Sequence, residues 1–261
     1  QASLEFDPSA EALGFHSFQE VFAAARALEC DYACLPIENS LAGSINQTYD
    51  LLNDSSLHIV AEQVVRVHHN LMVKPGVRLS EVKRVYSHPQ ALAQCQAFIE
   101  RHGFEAVTDF DTAGAAKLLA ENGGEGRAAL ATRRAAEIYG LEILAENVED
   151  LDFNYTRFVI LGSDERPKSA EHNKSSLMLA IRHRPGDLVA CLQVFAERGL
   201  NLTKLESRPR RDKPWSYLFY VDIEGHIEDE AVQGALATLM RRAAFVKFLG
   251  SYPAAPRVLQ P

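Results

Sequence analysis

Two rhythms of apolar and polar positions run along this chain. From residue 31 to 161, the short apolar runs YACLPI, RVYSHP and RAALAT each lead into a segment with helical spacing, the signature of α/β units. In PQALAQCQAFIERHG, residues Ala91, Leu92, Cys95, Phe98 and Ile99 keep one helical face, Pro89 suits the first turn, and Gly103 suits the C-terminal cap. A second helix is predicted in DTAGAAKLLAENGG behind Asp111 as N-cap, and a third in TRRAAEIYG, ending at Gly140. HIVAEQVVRVHHNLMV, 58 to 73, reads as extended and carries the chain from one lobe to another. Residues 163–174 lose periodicity and become polar, which reads as a linker. Beyond it the rhythm changes: SSLMLAIRH, NLTKLESRP, WSYLFYVDIEG and FVKFLGSYP read as strands, GDLVACLQVFAERG (ending at Gly199) and EDEAVQGALATLMRRA as helices. That βαββαβ order predicts a ferredoxin-like domain over 175–252, followed by a loose tail, 253–261.

Composition adds exclusions. With 47% hydrophobic and 24% charged residues the 261-residue chain reads as a soluble globular protein, and no run reaches membrane-spanning length. A net charge of -8 argues against nucleic acid as a partner. An anionic ligand must therefore be held by local cations and backbone dipoles. Cys30, Cys34, Cys95 and Cys191 match neither a zinc site nor a disulfide framework, so small apolar filling and a cytoplasmic, reducing setting are expected.

Four strand-to-helix corners carry polar groups: Glu38, Asn39 and Ser40; Ser87, His88 and Gln90; Asp111 and Thr112; Thr132 and Arg133. Helix N-termini at such corners favour a carboxylate or phosphate by about 0.3–1 kcal/mol each, and together they suggest a cleft for a small polyanion. Singly, Ser40, Ser87, Asp111 and Thr132 read as helix caps. The stretch LDFNYTRFVILG poses a sharper question, because Arg157 stands at the mouth of a core strand with no acidic residue just after it. Two readings are open. Arg157 offers a bidentate clamp for a carboxylate with Thr156 as hydrogen-bond donor to a leaving oxygen, or it pairs structurally with Asp152 or Glu149. There is no GxGxxG, Walker, HExxH or GxSxG motif, and His68 and His69, adjacent in an extended segment, point to opposite faces. The chemistry is expected to need neither metal nor cofactor.

The motifs PIENSLAGSINQTYDLL (36–52), VYSHPQALAQC (85–95), DTAGAAKL (111–118) and NYTRF (154–158) resemble, in order and spacing, those of prephenate dehydratase. PGDLVACL (185–192) and LESRP (205–209) resemble the ligand-binding motifs of that enzyme's ACT domain. The resemblance implies an α/β protein: a two-lobed, type II periplasmic-binding-protein-like catalytic domain over 1–162, with the site between its lobes, plus the ferredoxin-like ACT domain. It implies conversion of prephenate to phenylpyruvate with loss of carbon dioxide and water, and inhibition by phenylalanine. By motif, Thr156 assists departure of the ring hydroxyl and Arg157 holds a substrate carboxylate. Asn39, Ser40, Gln90 and Thr112 line the site with Ser87, supported by Glu38 and Phe158. Gly186, Asp187, Leu188, Val189, Asn201, Leu202, Thr203, Glu206, Ser207 and Arg208 frame the effector site at the interface of a homodimer or homotetramer. Two departures stand out. QASLEF resembles the family's first helix already under way, so the strand and glycine-rich turn that precede it are expected to be missing. A GALV-like stretch reads GDLV here, with Asp187 expected at a helix N-terminus. The alternatives are arogenate dehydratase and a non-catalytic amino-acid sensor; retention of Thr156, Asn39 and Gln90 speaks against the sensor.

Overall fold

The extended stretch expected over 58–73 is two strands, and the chain passes between them from one structural unit to another. In this computed structural model residues 1–163, 167–169, 172–182, 184–210 and 217–256 are described. A split unit comprises Ala2–Val65 with Arg157–Pro261, and an inserted unit comprises Arg66–Thr156 together with Gln1. The parts of the expected linker and tail at 164–166, 170–171 and 257–261, and Trp215 and Ser216 of the expected third C-terminal strand, lie outside the described residues.

The split unit opens with α1 (Ala2–Phe6), α2 (Phe18–Arg26), β1 (Ala33–Asn39), β2 (Gly43–Ser44), α3 (Asn46–Asp54) and β3 (His58–Arg66). Ser17 starts α2 by accepting the N–H of Glu20, and the helix buries Phe22, Ala24 and Ala25.

The inserted unit contains β4 (Asn70–Val73), β5 (Arg84–Ser87), α4 (Pro89–Gln94), α5 (Gln96–His102), β6 (Glu105–Thr108), α6 (Thr112–Asn122), β7 (Arg127–Ala131), α7 (Arg133–Tyr139) and β8 (Glu142–Ala145). Its sheet runs β6-β5-β7-β4-β8, with β5 parallel to β6 and β7 and β4 antiparallel to its neighbours. The helix expected over 89–103 is broken at Cys95 into α4 and α5. Asp150 causes the break: its carboxylate accepts the Ala97 N–H and its own N–H donates to the Gln94 carbonyl, taking groups that a continuous helix would bond internally. Gly103 and Gly140 end their helices in the left-handed conformation, as their positions predict.

The chain re-enters the split unit along β9 (Tyr155–Gly162), which lies between β1 and β3 in the order β2-β1-β9-β3. Then follow β10 (Asn173–Ala180), α8 (Asp187–Ala196), β11 (Leu202–Pro209), β12 (Tyr217–Glu224), α9 (Glu230–Arg242) and β13 (Phe245–Pro253). The expected βαββαβ arrangement is present, with sheet order β11-β12-β10-β13 and every pair antiparallel. β10 begins at Asn173, two residues before the expected boundary.

Both faces of this C-terminal sheet are covered. Leu177, Leu179, Phe219, Val221 and Ile223 pack with Val194, Phe195, Val232 and Leu239 of α8 and α9. On the other face Met178, Tyr220, Leu249 and Tyr252 share one core with Leu35, Ile37, Tyr49, Leu52 and Ile59. β13 approaches β3 so closely that a Cβ at Gly250, whose φ is +144°, would lie 2.2 Å from the Ile59 carbonyl oxygen. Only glycine fits there.

Candidate active site

Three of the four expected corners lie along one edge of the inserted unit's sheet, where the parallel strands β5, β6 and β7 end and α4, α6 and α7 begin. Gln90 is exposed in the first turn of α4, its N–H donating to Nδ1 of His88. Thr112 opens α6, and Asp111 caps it by accepting the Gly114 N–H at 2.6 Å. Thr132 makes no capping bond to α7, and Arg133 pairs with Glu146. Ser87 does not face this edge as an open donor: it is fully buried and its Oγ donates to the Leu130 carbonyl at 2.7 Å, tying β5 to β7. That corrects its place among the substrate contacts.

The fourth corner belongs to the split unit. Asn39 is buried, and its Oδ1 accepts the N–H groups of Leu41 and Ala42 at 3.1 and 2.9 Å, which builds the turn after β1 and leaves Ser40 exposed on it. Beside it, Arg157 answers the question its sequence posed. Nη1 donates to Asp222 Oδ2 at 2.7 Å and to Glu62 Oε2 at 3.1 Å, and Nε lies 3.4 Å from Glu38 Oε2. The last contact is an ion pair without hydrogen-bond geometry, leaving the buried Nε without a hydrogen-bond partner. Glu62 also takes Lys174 at 2.6 Å, and Glu38 takes Lys204 at 3.0 Å. Burial works against the Arg157 charge, but Asp222 and Glu62 outweigh it and hold the guanidinium firmly protonated. Burial likewise works against ionisation of Asp222, and Arg157, Ser176 and Lys174 overcome it, keeping the carboxyl below its ordinary range. A cation ringed by three of the chain's own carboxylates is no carboxylate clamp, so the clamp reading of Arg157 is corrected. The structural reading was nearer, with other partners: Glu149 instead bonds Nδ1 of His68 at 2.7 Å and the His69 N–H at 2.9 Å.

Sequence reasoning missed the support beneath NYTRF. Asn154 is buried and donates to Oε1 of Gln94, which also accepts from Nε2 of His69 at 2.8 Å. The shared acceptor places the His69 proton on Nε2. His68 and His69 do diverge, one to Glu149 and the other to Gln94. Glu62 in IVAEQVV and Asp222 in YVDIE were readable signals, since a lone acid inside an apolar strand needs a buried cation.

The family model described as Prephenate dehydratase matches residues 1–166. The chain belongs to the prephenate dehydratase family. A bifunctional chorismate mutase/prephenate dehydratase of Neisseria gonorrhoeae is 40% identical over 98% of this chain and 71% of its own length. Arogenate dehydratase/prephenate dehydratase 2 of Arabidopsis thaliana is 43% identical over 94% of this chain and 67% of its own. Among solved structures, a prephenate dehydratase of Arthrobacter aurescens in complex with L-Phe superposes with a TM-score of 0.89 at 32% identity, covering 100% of this chain and 88% of that one. GqqA, described as a novel type of quorum quenching acylase, gives 0.91 at 36% identity, covering 98% and 93%.

An ACT domain model matches residues 177–239, so this prephenate dehydratase family member carries the expected periplasmic-binding-protein-like fold with a C-terminal ACT domain. Asp187 is the first residue of α8, where the helix dipole favours it, behind Gly186 in the left-handed conformation; Val189 is exposed. Leu188 and Leu202 pack on the helix-side core. A bulge between Leu202 and Lys204 then turns Lys204, Glu206 and Arg208 to the opposite face. There Glu206 accepts from Ser44 Oγ at 2.8 Å, and Arg208 pairs with Asp50 at 2.9 Å. Glu206 and Arg208 therefore do not share a face with Ser207. No helix among the described residues is long and apolar enough to cross a membrane.

Proposed function

We propose that this chain converts prephenate to phenylpyruvate and is inhibited by phenylalanine through its ACT domain. The carrying observation is the prephenate dehydratase match over 1–166 followed in the same chain by an ACT match over 177–239. The bond from the ring carbon to its carboxylate breaks, and the electron pair enters the ring as the ring carbon–oxygen bond breaks. Carbon dioxide leaves, and the departing hydroxide takes a proton drawn from solvent to become water. Aromatisation supplies the driving force, so positioning and stabilisation of the leaving oxygen suffice. In this reading Thr156 donates a hydrogen bond to that oxygen. The further candidate polar residues are Gln90 and Thr112 in the inserted unit and, in the split unit, Ser40, Asn39 and Glu38, with Phe158 in support. The N–H groups at the start of α6 other than that of Gly114, which Asp111 holds, add an anion-binding dipole without a strong base. The effector contacts are Gly186–Val189, Asn201, Leu202 and Ser207, completed by a second copy of the chain in the cytoplasm.

The identity to the Arabidopsis enzyme favours arogenate as the second reading. Offering prephenate and arogenate separately, and following phenylpyruvate and phenylalanine by chromatography with and without added phenylalanine, tests both. Phenylpyruvate formation that falls on adding phenylalanine is expected; preferential turnover of arogenate would move the substrate. Thr156→Ala is expected to lower kcat by about 100-fold or more with KM within a few-fold, and an equally active variant would remove Thr156 from the mechanism.

A further inference from the structure

Arg157 is held by acids from three strands: Glu38 on β1, Glu62 on β3 and Asp222 on β12. The first two strands belong to the sheet that contains β9 itself, whereas β12 belongs to the ACT sheet. Asp222 is the shortest of the three contacts and is fixed in its turn: Oδ1 accepts from Ser176 Oγ at 2.6 Å, and that hydroxyl lies 2.7 Å from Tyr252 Oη. Ser176 and Tyr252 come from β10 and β13, so three of the four ACT strands are linked in one hydrogen-bonded chain, Tyr252 to Ser176 to Asp222. The fourth, β11, reaches the same group of charges through Lys204, which pairs with Glu38.

The residue before Arg157 in β9 is Thr156. Consecutive side chains of a strand point to opposite faces, so fixing the Arg157 side chain on the ACT side fixes the direction in which Thr156 faces. A side chain that serves a leaving group must be held to well under an ångström, because a displacement of about 1 Å lowers turnover by about 100-fold.

We propose that Asp222 is a positioning residue for the dehydration, acting through Arg157 to orient Thr156, and that through it the state of the ACT sheet is felt at the chemical step. The proposal rests on the assignment of Thr156 made above. It differs from a purely stabilising role in its readout: Asp222 meets no reacting atom, yet its loss changes turnover rather than affinity.

Kinetics of Asp222→Asn in the full chain test this, with prephenate as substrate and phenylalanine as effector. The expected result is a kcat lower by about 10-fold or more with KM within twofold, and an inhibition curve shifted at least about fivefold or flattened. Lys247→Met is the control for destabilisation alone: its Nζ donates to the carbonyls of Leu52, Asn53 and Ser55 and touches none of the Arg157 group, so a lower melting temperature with unchanged kcat is expected. Should Asp222→Asn not fold, Asp222→Glu carries the test, since it keeps the charge but displaces the guanidinium; lowered kcat at constant KM supports the proposal. A folded Asp222 variant with wild-type kcat and wild-type inhibition overturns it. Wild-type protein that turns over neither prephenate nor arogenate would overturn the functional assignment instead, so the two failures are distinct.

Discussion

Removing the cation from a buried group of charges is more damaging than removing a surface ion pair, because the acids left behind have no water to replace it. The Arg157 side chain is 13% exposed, with Glu62 at 2% and Asp222 at 9%. Arg157→Met is therefore expected to lower unfolding free energy by about 3–5 kcal/mol in urea titrations. A substrate clamp would behave otherwise, raising KM while leaving stability within about 0.5 kcal/mol. At this scale the sequence carried the anomaly but not its resolution. Arg157 stood out because no acid follows it in its strand, and its hydrogen-bond partners are not the nearby Glu149 or Asp152 but lie 95 and 65 residues away along the chain. Ser87 shows the opposite limit: a serine at a strand's carboxyl end has the same signature whether its hydroxyl faces a ligand or, as here, the Leu130 carbonyl.

Elements were more legible than the partners of single residues. Proline at the start of α4, aspartate before α6 and glycine after α5 and α7 act within a turn of their own position, so local sequence suffices to place them. The interruption at Cys95 was not local, since Asp150 arrives from 53 residues away to claim the Ala97 N–H. Gly250 is a similar case. Within FVKFLGSYP it reads as an ordinary weak point of a strand, and the need for it comes from β3, whose Ile59 carbonyl occupies the space of a Cβ. Gly250→Ala combines that overlap with an unfavourable φ, and is expected to destabilise the protein by about 2 kcal/mol or more in denaturant titrations. A change below about 0.5 kcal/mol would mean that β13 and β3 separate without penalty.

For the whole molecule, the sequence divides the chain at a linker near residue 163, whereas the packing joins the ACT sheet to the first lobe through a common core. The buried charges make that joint acid-sensitive. Asp222 has its folded pKa below its unfolded one, so its contribution is complete above the unfolded value near 4 and is lost as pH falls through the folded value. Urea midpoints measured from pH 7 down to 3 should fall below about pH 4, and Asp222→Asn should flatten that fall by up to one proton, about 1.4 kcal/mol per pH unit. An identical slope in the variant would mean that another carboxylate governs acid unfolding.

The same joint decides whether the segment matched as prephenate dehydratase folds alone. In a fragment of residues 1–166, Leu35, Ile37, Tyr49 and Leu52 keep their places but lose Met178, Tyr220, Leu249 and Tyr252 from their core. Each lost side chain removes about 1.5–3 kcal/mol of burial, roughly 6–12 kcal/mol in all, against a typical total stability of about 5–15. Arg157 would also face Glu62 without Asp222, and α3 would lose the lysine that caps its last carbonyls. The inserted unit has separate cores built on Leu71, Val85 and Leu130 and on Ala115, Ala129 and Ala136, and none of their residues comes from beyond 166. Hydrogen exchange on the fragment should therefore retain protection in β4, β5 and β7 while β1, β3 and β9 exchange fast. Slow exchange in both sets would show that the first lobe is stable without the ACT sheet, and the shared core would then be an accessory of the fold rather than a condition for it.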